Sequence, residues 1–157
     1  RLLSSAASDV YKRQAYNLVN RGFEIGLSEV AMHEQVGLLA YSPLAQGTLT
    51  GKYLGGQMPQ GSRLALFGDG PLMMRYKGDK TQQAIEMYVN LAKKYEIDPA
   101  QLAIQFCNIQ PFVTSTIIGA TTMEQLKTCI DSVDLDITKE IINEIRSIHK
   151  EIPNPAP

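Results

Sequence analysis

Apolar residues recur along this chain in two different periods, and their alternation predicts its architecture. Val36 to Tyr41 (Val-Gly-Leu-Leu-Ala-Tyr) is a short apolar run that breaks at Ser42-Pro43, the mark of a buried strand. Thr114 to Ile118 is a second short run, rich in β-branched residues and ending at Gly119. Helical spacing surrounds both. About Phe23 to Glu34 puts Phe23, Leu27, Val30 and Ala31 on one face. Thr81 to Tyr95 does the same with Ala84, Ile85, Tyr88, Leu91, Ala92 and Tyr95. Asp98-Pro99-Ala100-Gln101 starts a further helix: Asp98 caps it, Pro99 takes the first helical position and Gln101 can reach back. Leu102, Phe106 and Ile109 point inward, and the helix stops before Pro111. Thr121 to Gln125 carries two overlapping capping-box patterns, with Leu126 and Ile130 on the buried face that follows. Thr138 starts the last helix, with Ile137 and Ile142 as a hydrophobic staple and Ile141, Ile142, Ile145 and Ile148 inward.

Between these elements the pattern weakens. Arg1 to Gln14 has no sustained period, and at most a weak helix is expected there because Ala and Leu favour one. Tyr16 to Asn20 is a short segment before Arg21-Gly22. Leu54 to Lys80 is long and glycine-rich, which suits a lid, a binding loop or a disordered segment, with Met73-Met74 as a packing contact. Glu151 to Pro157 is too proline-rich to continue a helix. Strands alternating with helices predict an α/β fold with a parallel sheet and helical crossovers.

Composition narrows the function classes. A chain of 157 residues, 44% hydrophobic and 20% charged, suits one globular domain. A net charge of −1 implies no nucleic-acid partner. No apolar run is long enough for a membrane span, and no signal peptide is expected. Cys107 and Cys129 lack metal-ligand spacing and read as reduced thiols, so a cytoplasmic setting is expected and no metal site. His33 sits where a cation suits a helix C-terminus rather than where chemistry is expected.

The chemistry gathers at two strand-to-loop junctions. One is Tyr41-Ser42-Pro43-Leu44, running on to Gly47, Gly51 and Lys52. The other is Ile118-Gly119-Ala120-Thr121, where a threonine caps a helix. Glycine lets backbone N–H groups approach an anion, an ammonium adds a point charge, and a helix start offers free donors. Gly47 and Gly51 have three residues between them and Tyr53 follows Lys52, so this is not the Gly-x-x-x-x-Gly-Lys-Ser/Thr loop of nucleoside triphosphatases. In an eight-stranded β/α barrel, a phosphate site is frequently built from the loops after strands seven and eight. Ordinary tight turns remain the alternative.

Ala40-Tyr41-Ser42-Pro43-Leu44, Gly47-Thr48-Leu49-Thr50-Gly51-Lys52-Tyr53, Ile117-Ile118-Gly119-Ala120-Thr121-Thr122 and Gln125-Leu126-Lys127 together resemble the aldo-keto reductases. The likeness is greatest to the bacterial Tas-like branch and the related potassium-channel β-subunits, and it covers about Ala15 to Pro157. The resemblance implies the C-terminal part of a (β/α)8 TIM barrel, incomplete here, and an NADP(H)-dependent oxidoreductase acting on small aldehydes or ketones. By the same resemblance, Tyr41 stacks on the nicotinamide, and Ser42, Pro43, Leu44, Ala45 and Gln46 wrap the pyrophosphate. Lys52 reaches the same phosphates, and Arg63 belongs to a lid. Gly119, Thr121 and Gln125 lie near the 2′-phosphate.

Two departures stand out. The family usually has Glu-Asn where this chain has Thr128-Cys129, and a thiol replaces an amide near the adenine. The family's catalytic Asp, Tyr, Lys and His lie in the N-terminal half of the barrel, which nothing here matches. Tyr11, Lys12 and His149 do not occupy matching positions, so no catalytic residue is assigned. An alternative is a non-catalytic NADPH-binding regulatory subunit, and a third reading is an unrelated phosphate-binding α/β domain. Residues 1–14 resemble translated adapter sequence, with Arg13-Gln14 standing where the family has Gln-Asn. They are expected to be a non-native or disordered leader to a domain at 15–157, with the natural gene extending upstream. A partial barrel exposes strand edges, so the chain in isolation is expected to aggregate; a monomer that melts cooperatively in sedimentation and calorimetry would contradict this.

Overall fold

Three parallel strands, β1 (Tyr11–Ala15), β2 (Gly37–Tyr41) and β3 (Val113–Ile117), lie side by side in chain order. The structure is a computed structural model and describes residues 11–68 and 70–157. Between β1 and β2 runs α1 (Leu27–His33). Between β2 and β3 lie two short helices, α2 (Arg63–Phe67) and α3 (Pro71–Met74), then α4 (Asp79–Lys94) and α5 (Pro99–Asn108). After β3 come α6 (Met123–Asp131) and α7 (Lys139–Glu151). This is the expected α/β order with helical crossovers.

The strand pleat decides what each face does. In β2, Leu38 and Ala40 are fully buried on the helix-covered face, while Gly37, Leu39 and Tyr41 are half-buried on the other. The core therefore lies on one side of the sheet. There α4 contributes Ala84, Ile85, Tyr88, Leu91 and Ala92, and α5 contributes Leu102, Ala103, Phe106 and Cys107. Asp98 caps α5 as expected, accepting from the N–H groups of Ala100 and Gln101. Gln101 does not reach back; its side chain donates to the Thr128 carbonyl.

An aromatic group ties the segment after β1 to α5. The Tyr16 ring stacks on Phe106 at 5.7 Å and meets Phe112 edge-on at 5.3 Å, and Phe23 packs on Phe112 at 5.4 Å. Arg21 lies over Phe106 and forms a two-pronged ion pair with Glu24, whose carboxylate also accepts from the Tyr16 hydroxyl. The proline-rich tail closes over this group. Asn154 Oδ1 accepts from the Arg21 N–H, the Ala156 N–H donates to the Val19 carbonyl, and Ile152 and Ala156 are buried.

Several expectations need correction. The helix expected over Phe23 to Glu34 is broken: a 3-10 turn at Gly22–Glu24 precedes α1, and Gly26 between them takes φ of 82°. That break rotates α1, so Ser28 and Ala31 face inward while Leu27 and Val30 are 39% and 50% exposed. Ile109, expected inside, caps the C-terminus of α5 and is 41% exposed; Ile130, also expected inside, is 56% exposed because Cys129 rather than Ile130 takes the buried position of α6. Tyr11 to Gln14, where at most a weak helix is expected, form most of β1 instead, because β2 offers a parallel ladder to pair with. The rest of the expected leader lies outside the described residues. Met73 packs inward as expected, and Met74 does not.

The pairing of β2 with β3 slips once. Leu38 pairs with Val113 but Leu39 pairs with Ser115, which leaves Thr114 as a bulge. Gly37 makes room for it: a Cβ there would run into Thr114 Oγ1 and approach the Thr114 Cβ to 2.9 Å. Gly37→Ala is expected to destabilise the fold by about 1 to 3 kcal/mol through overpacking; an unchanged urea midpoint would refute the role given to this contact.

The Arg21–Glu24 pair also sets a pH response. Burial would raise the Glu24 pKa, but the hydrogen bonds from Arg21 and Tyr16 and the Arg21 charge outweigh it and hold the carboxyl below its ordinary value. Burial lowers His149, the Arg21 cation lowers it further, and Glu24 only partly opposes them. Both folded-state pKa values are depressed, so both contributions are full above the unfolded values and are lost on acidification. Stability is expected to fall first as pH drops below the ordinary histidine value of 6.5, and again below the carboxylate value of 4.5. In a thermal-melt series against pH, His149→Gln should remove the first step and keep the second.

Candidate functional site

Parallel pairing brings the two junctions together. Tyr41, the last residue of β2, pairs with Ile117, the last of β3, so both following loops leave the same C-terminal edge of the sheet side by side. This edge of open α/β sheets is where ligands gather. Tyr41 lies on the half-open face, with its ring within 5.6 Å of the Arg13 guanidinium.

The first loop is tightly wound. Ser42, Ala45 and Gln46 take φ of 55°, 49° and 60°, and Gly47 follows at 89°. Left-handed backbone at non-glycine residues is strained and persists only where the surroundings hold it. Here Asn17 Nδ2 donates to the Ser42 carbonyl at 2.9 Å, and the Ala45 N–H donates to the same oxygen at 2.9 Å. The N–H groups of Gly47 and Leu49 both donate to the Leu44 carbonyl, and the Thr48 hydroxyl donates to the Ala45 carbonyl. Pro43 and Ala45 are buried, whereas Ser42, Leu44 and Gln46 are half-buried. Lys52 folds back over this turn. A Cβ on Gly47 would sit 3.1 Å from Lys52 Nζ, so glycine leaves the space the ammonium borders.

Arg63 belongs to the same assembly. It opens α2, which Ser62 caps, and Tyr53 OH accepts from the Leu64 N–H. Arg63 Nη1 donates to Gln46 Oε1 at 2.7 Å, and Gln46 Nε2 donates to Ser42 Oγ at 3.2 Å. The long segment expected over Leu54 to Lys80 is thus partly helical and is strapped to the loop it follows. Tyr76, from its far end, is buried beside Asn17 and Arg75 and near Tyr41; burial raises its pKa, and the Asn17 and Arg75 contacts oppose that.

At the second junction, Thr122 rather than Thr121 is the cap: its Oγ1 accepts from the Gln125 N–H at 3.1 Å. Gln125 Oε1 turns back to accept from the Thr121 N–H and hydroxyl, each at 3.0 Å. Thr121, Gln125 and Gly119 are exposed, and a side chain at Gly119 would meet open space. Cys129 lies one turn after Gln125 on α6 but, unlike it, is buried. It lies in a cleft of about 530 Å³ between α5, β3 and α6, bordered by Ile104, Asn108, Thr116 and Ser132. Burial raises its thiol pKa, and the Asp98 charge adds to this.

Sequence reasoning missed Asn17 and Tyr76. Asn17 had a local signal: its side chain accepts from the N–H groups of Val19 and Asn20, the turn an Asx residue favours. Tyr76 had none, because it comes near Tyr41 from a distant segment. Among the described residues no cluster of metal-ligating side chains occurs and no helix is long and apolar enough to cross a membrane.

Known proteins match this arrangement in sequence. The chain is 50% identical over 142 residues to "Protein tas" of Escherichia coli, covering 90% of this chain and 40% of that protein. It is 35% identical over 120 residues to a "Probable voltage-gated potassium channel subunit beta" of rice, Oryza sativa, covering 75% and 37%. It is 33% identical over 123 residues to "L-glyceraldehyde 3-phosphate reductase" of Escherichia coli, covering 76% and 35%. The chain therefore spans less than half the length of these relatives. The model of the aldo/keto reductase family matches residues 10–150, and the chain belongs to that family.

Proposed function

We propose that this chain is the cofactor-holding part of an NADP(H)-dependent oxidoreductase that reduces aldehydes or ketones to alcohols, and that it corresponds to the C-terminal part of a (β/α)8 barrel. The observation that carries the reading is the paired exit of the two loops beside Tyr41, with a lysine and an arginine drawn onto the first of them. The residues fit a dinucleotide. Tyr41 offers a ring on an open face, Ser42 to Gln46 form a strained turn, and Lys52 and Arg63 supply positive charge for a pyrophosphate. Gly119, Thr121 and Gln125 would meet the 2′-phosphate, with Cys129 toward the adenine end. When bound, the nicotinamide supplies a hydride to a carbonyl carbon. This chain's own residues bind and orient it, and we assign none of them a catalytic role.

The channel-subunit relative supports a second reading, a regulatory subunit that binds NADPH without turning over substrate. An intact catalytic set in a longer gene product would favour the enzyme. Either reading suits a cytoplasmic protein.

Titration with NADPH and NADH, followed by nicotinamide fluorescence, tests the proposal. Lys52→Ala should weaken both cofactors by roughly tenfold, the scale of one charge-assisted hydrogen bond. Thr121→Ala and Gln125→Ala should weaken NADPH alone. Cys129→Asn should strengthen NADPH about fivefold through one added neutral hydrogen bond. Binding of neither cofactor would leave an unrelated phosphate-binding domain as the better account.

A further inference from the structure

We propose that Asn17 is a positioning residue of the candidate cofactor site: by holding the Ser42 carbonyl it keeps the Ser42 to Gly47 turn in its binding form before any ligand arrives. This role rests on the cofactor reading above and belongs to a residue that acts on the site through another. Asn17 follows β1 and is fully buried. Its backbone pairs in both directions with that of Asn20, at 3.0 and 3.1 Å. Its Oδ1 accepts from the N–H groups of Val19 at 3.1 Å and Asn20 at 2.9 Å. Those two donors decide which way the amide faces, because the reversed amide would set N–H against N–H. Nδ2 is thereby aimed at the Ser42 carbonyl, to which it donates at 2.9 Å.

The turn hinges on this carbonyl. Ser42 takes φ of 55°, a left-handed conformation that its surroundings must maintain. The next peptide leads into Pro43, which has no N–H, so the Ser42 carbonyl is the only hydrogen-bonding group by which that peptide can be fixed. A carbonyl has two lone pairs, and two donors meet them here: the Ala45 N–H, which closes the turn, and Asn17. Tyr76, from the far end of the following segment, is buried beside the same amide. The position thus calls for one acceptor and one donor on a short side chain. Asn17→Asp keeps the acceptor that the turn to Asn20 needs, but sets against the Ser42 carbonyl a second carboxylate oxygen, which cannot donate until it is protonated.

The test is calorimetric titration of the full chain with NADP+, unaltered and as Asn17→Asp, over a pH series. At neutral pH Asn17→Asp should bind about tenfold more weakly, the scale of one lost hydrogen bond. As pH falls, burial favours the protonated carboxyl, which can donate again, so the deficit relative to the unaltered chain should shrink; a general loosening of the packing would not recover in this way. A second measurement needs no variant and decides the question if Asn17→Asp does not fold: in the unaltered chain the Ala45 amide should be protected from hydrogen exchange before NADP+ is added. Undiminished affinity in Asn17→Asp, a deficit that does not shrink on acidification, or Ala45 protection that arises only with NADP+ overturns the role of Asn17 and leaves the cofactor site standing. No binding of NADP+ by the unaltered chain overturns both.

Discussion

The register between β2 and β3 is the constraint on which the site depends. Because Thr114 bulges out, Tyr41 lies opposite Ile117 rather than opposite Thr116. A shift of one residue in a pleated strand exchanges its two faces. With the bulge, Thr116 turns to the helix side, where its hydroxyl donates to Asn108 on α5. Ile117 and Tyr41 then share the open face, and their loops leave together. Gly37 permits this because it has no side chain to oppose Thr114.

The packed side of the sheet supports that edge. Tyr16, Phe23, Phe106 and Phe112 lock the segment after β1 against α5, and Asn17, one residue beyond Tyr16, reaches the Ser42 carbonyl. The strained turn at Ser42 to Gly47 is therefore held from outside its own sequence. Such pre-formed strain is what a binding loop needs if it is to meet a ligand without reordering. Membership of the aldo/keto reductase family gives this architecture its chemical context.

The open face has the opposite character. Leu39 and Tyr41 are only half-covered, and Arg13 lies across the Tyr41 ring. In this chain, which spans less than half the length of its relatives, helices pack one side of the sheet and the other is only partly covered. On the cofactor reading, binding and chemistry divide along the same line: the loops hold, and the open face meets the reacting ring.

Local signals in the sequence determined much of this. Asp98, Thr122 and Thr138 cap their helices because a short oxygen-bearing side chain satisfies free backbone donors wherever it precedes a helix. The buried faces of α4 and α7 followed from helical spacing, and both candidate loops were legible where apolar runs ended in small and polar residues. What local pattern could not carry was decided by contacts between distant segments. Residues Tyr11 to Gln14 became a strand through pairing with β2, and α1 turned its apolar side outward once Gly26 broke the helix. Arg63 met Gln46, and Asn17 met Ser42. Caps and periodicity act over a single turn or pleat and so can be read along the chain; the register of a parallel sheet and the partners of its loops exist only when residues far apart in sequence are brought face to face.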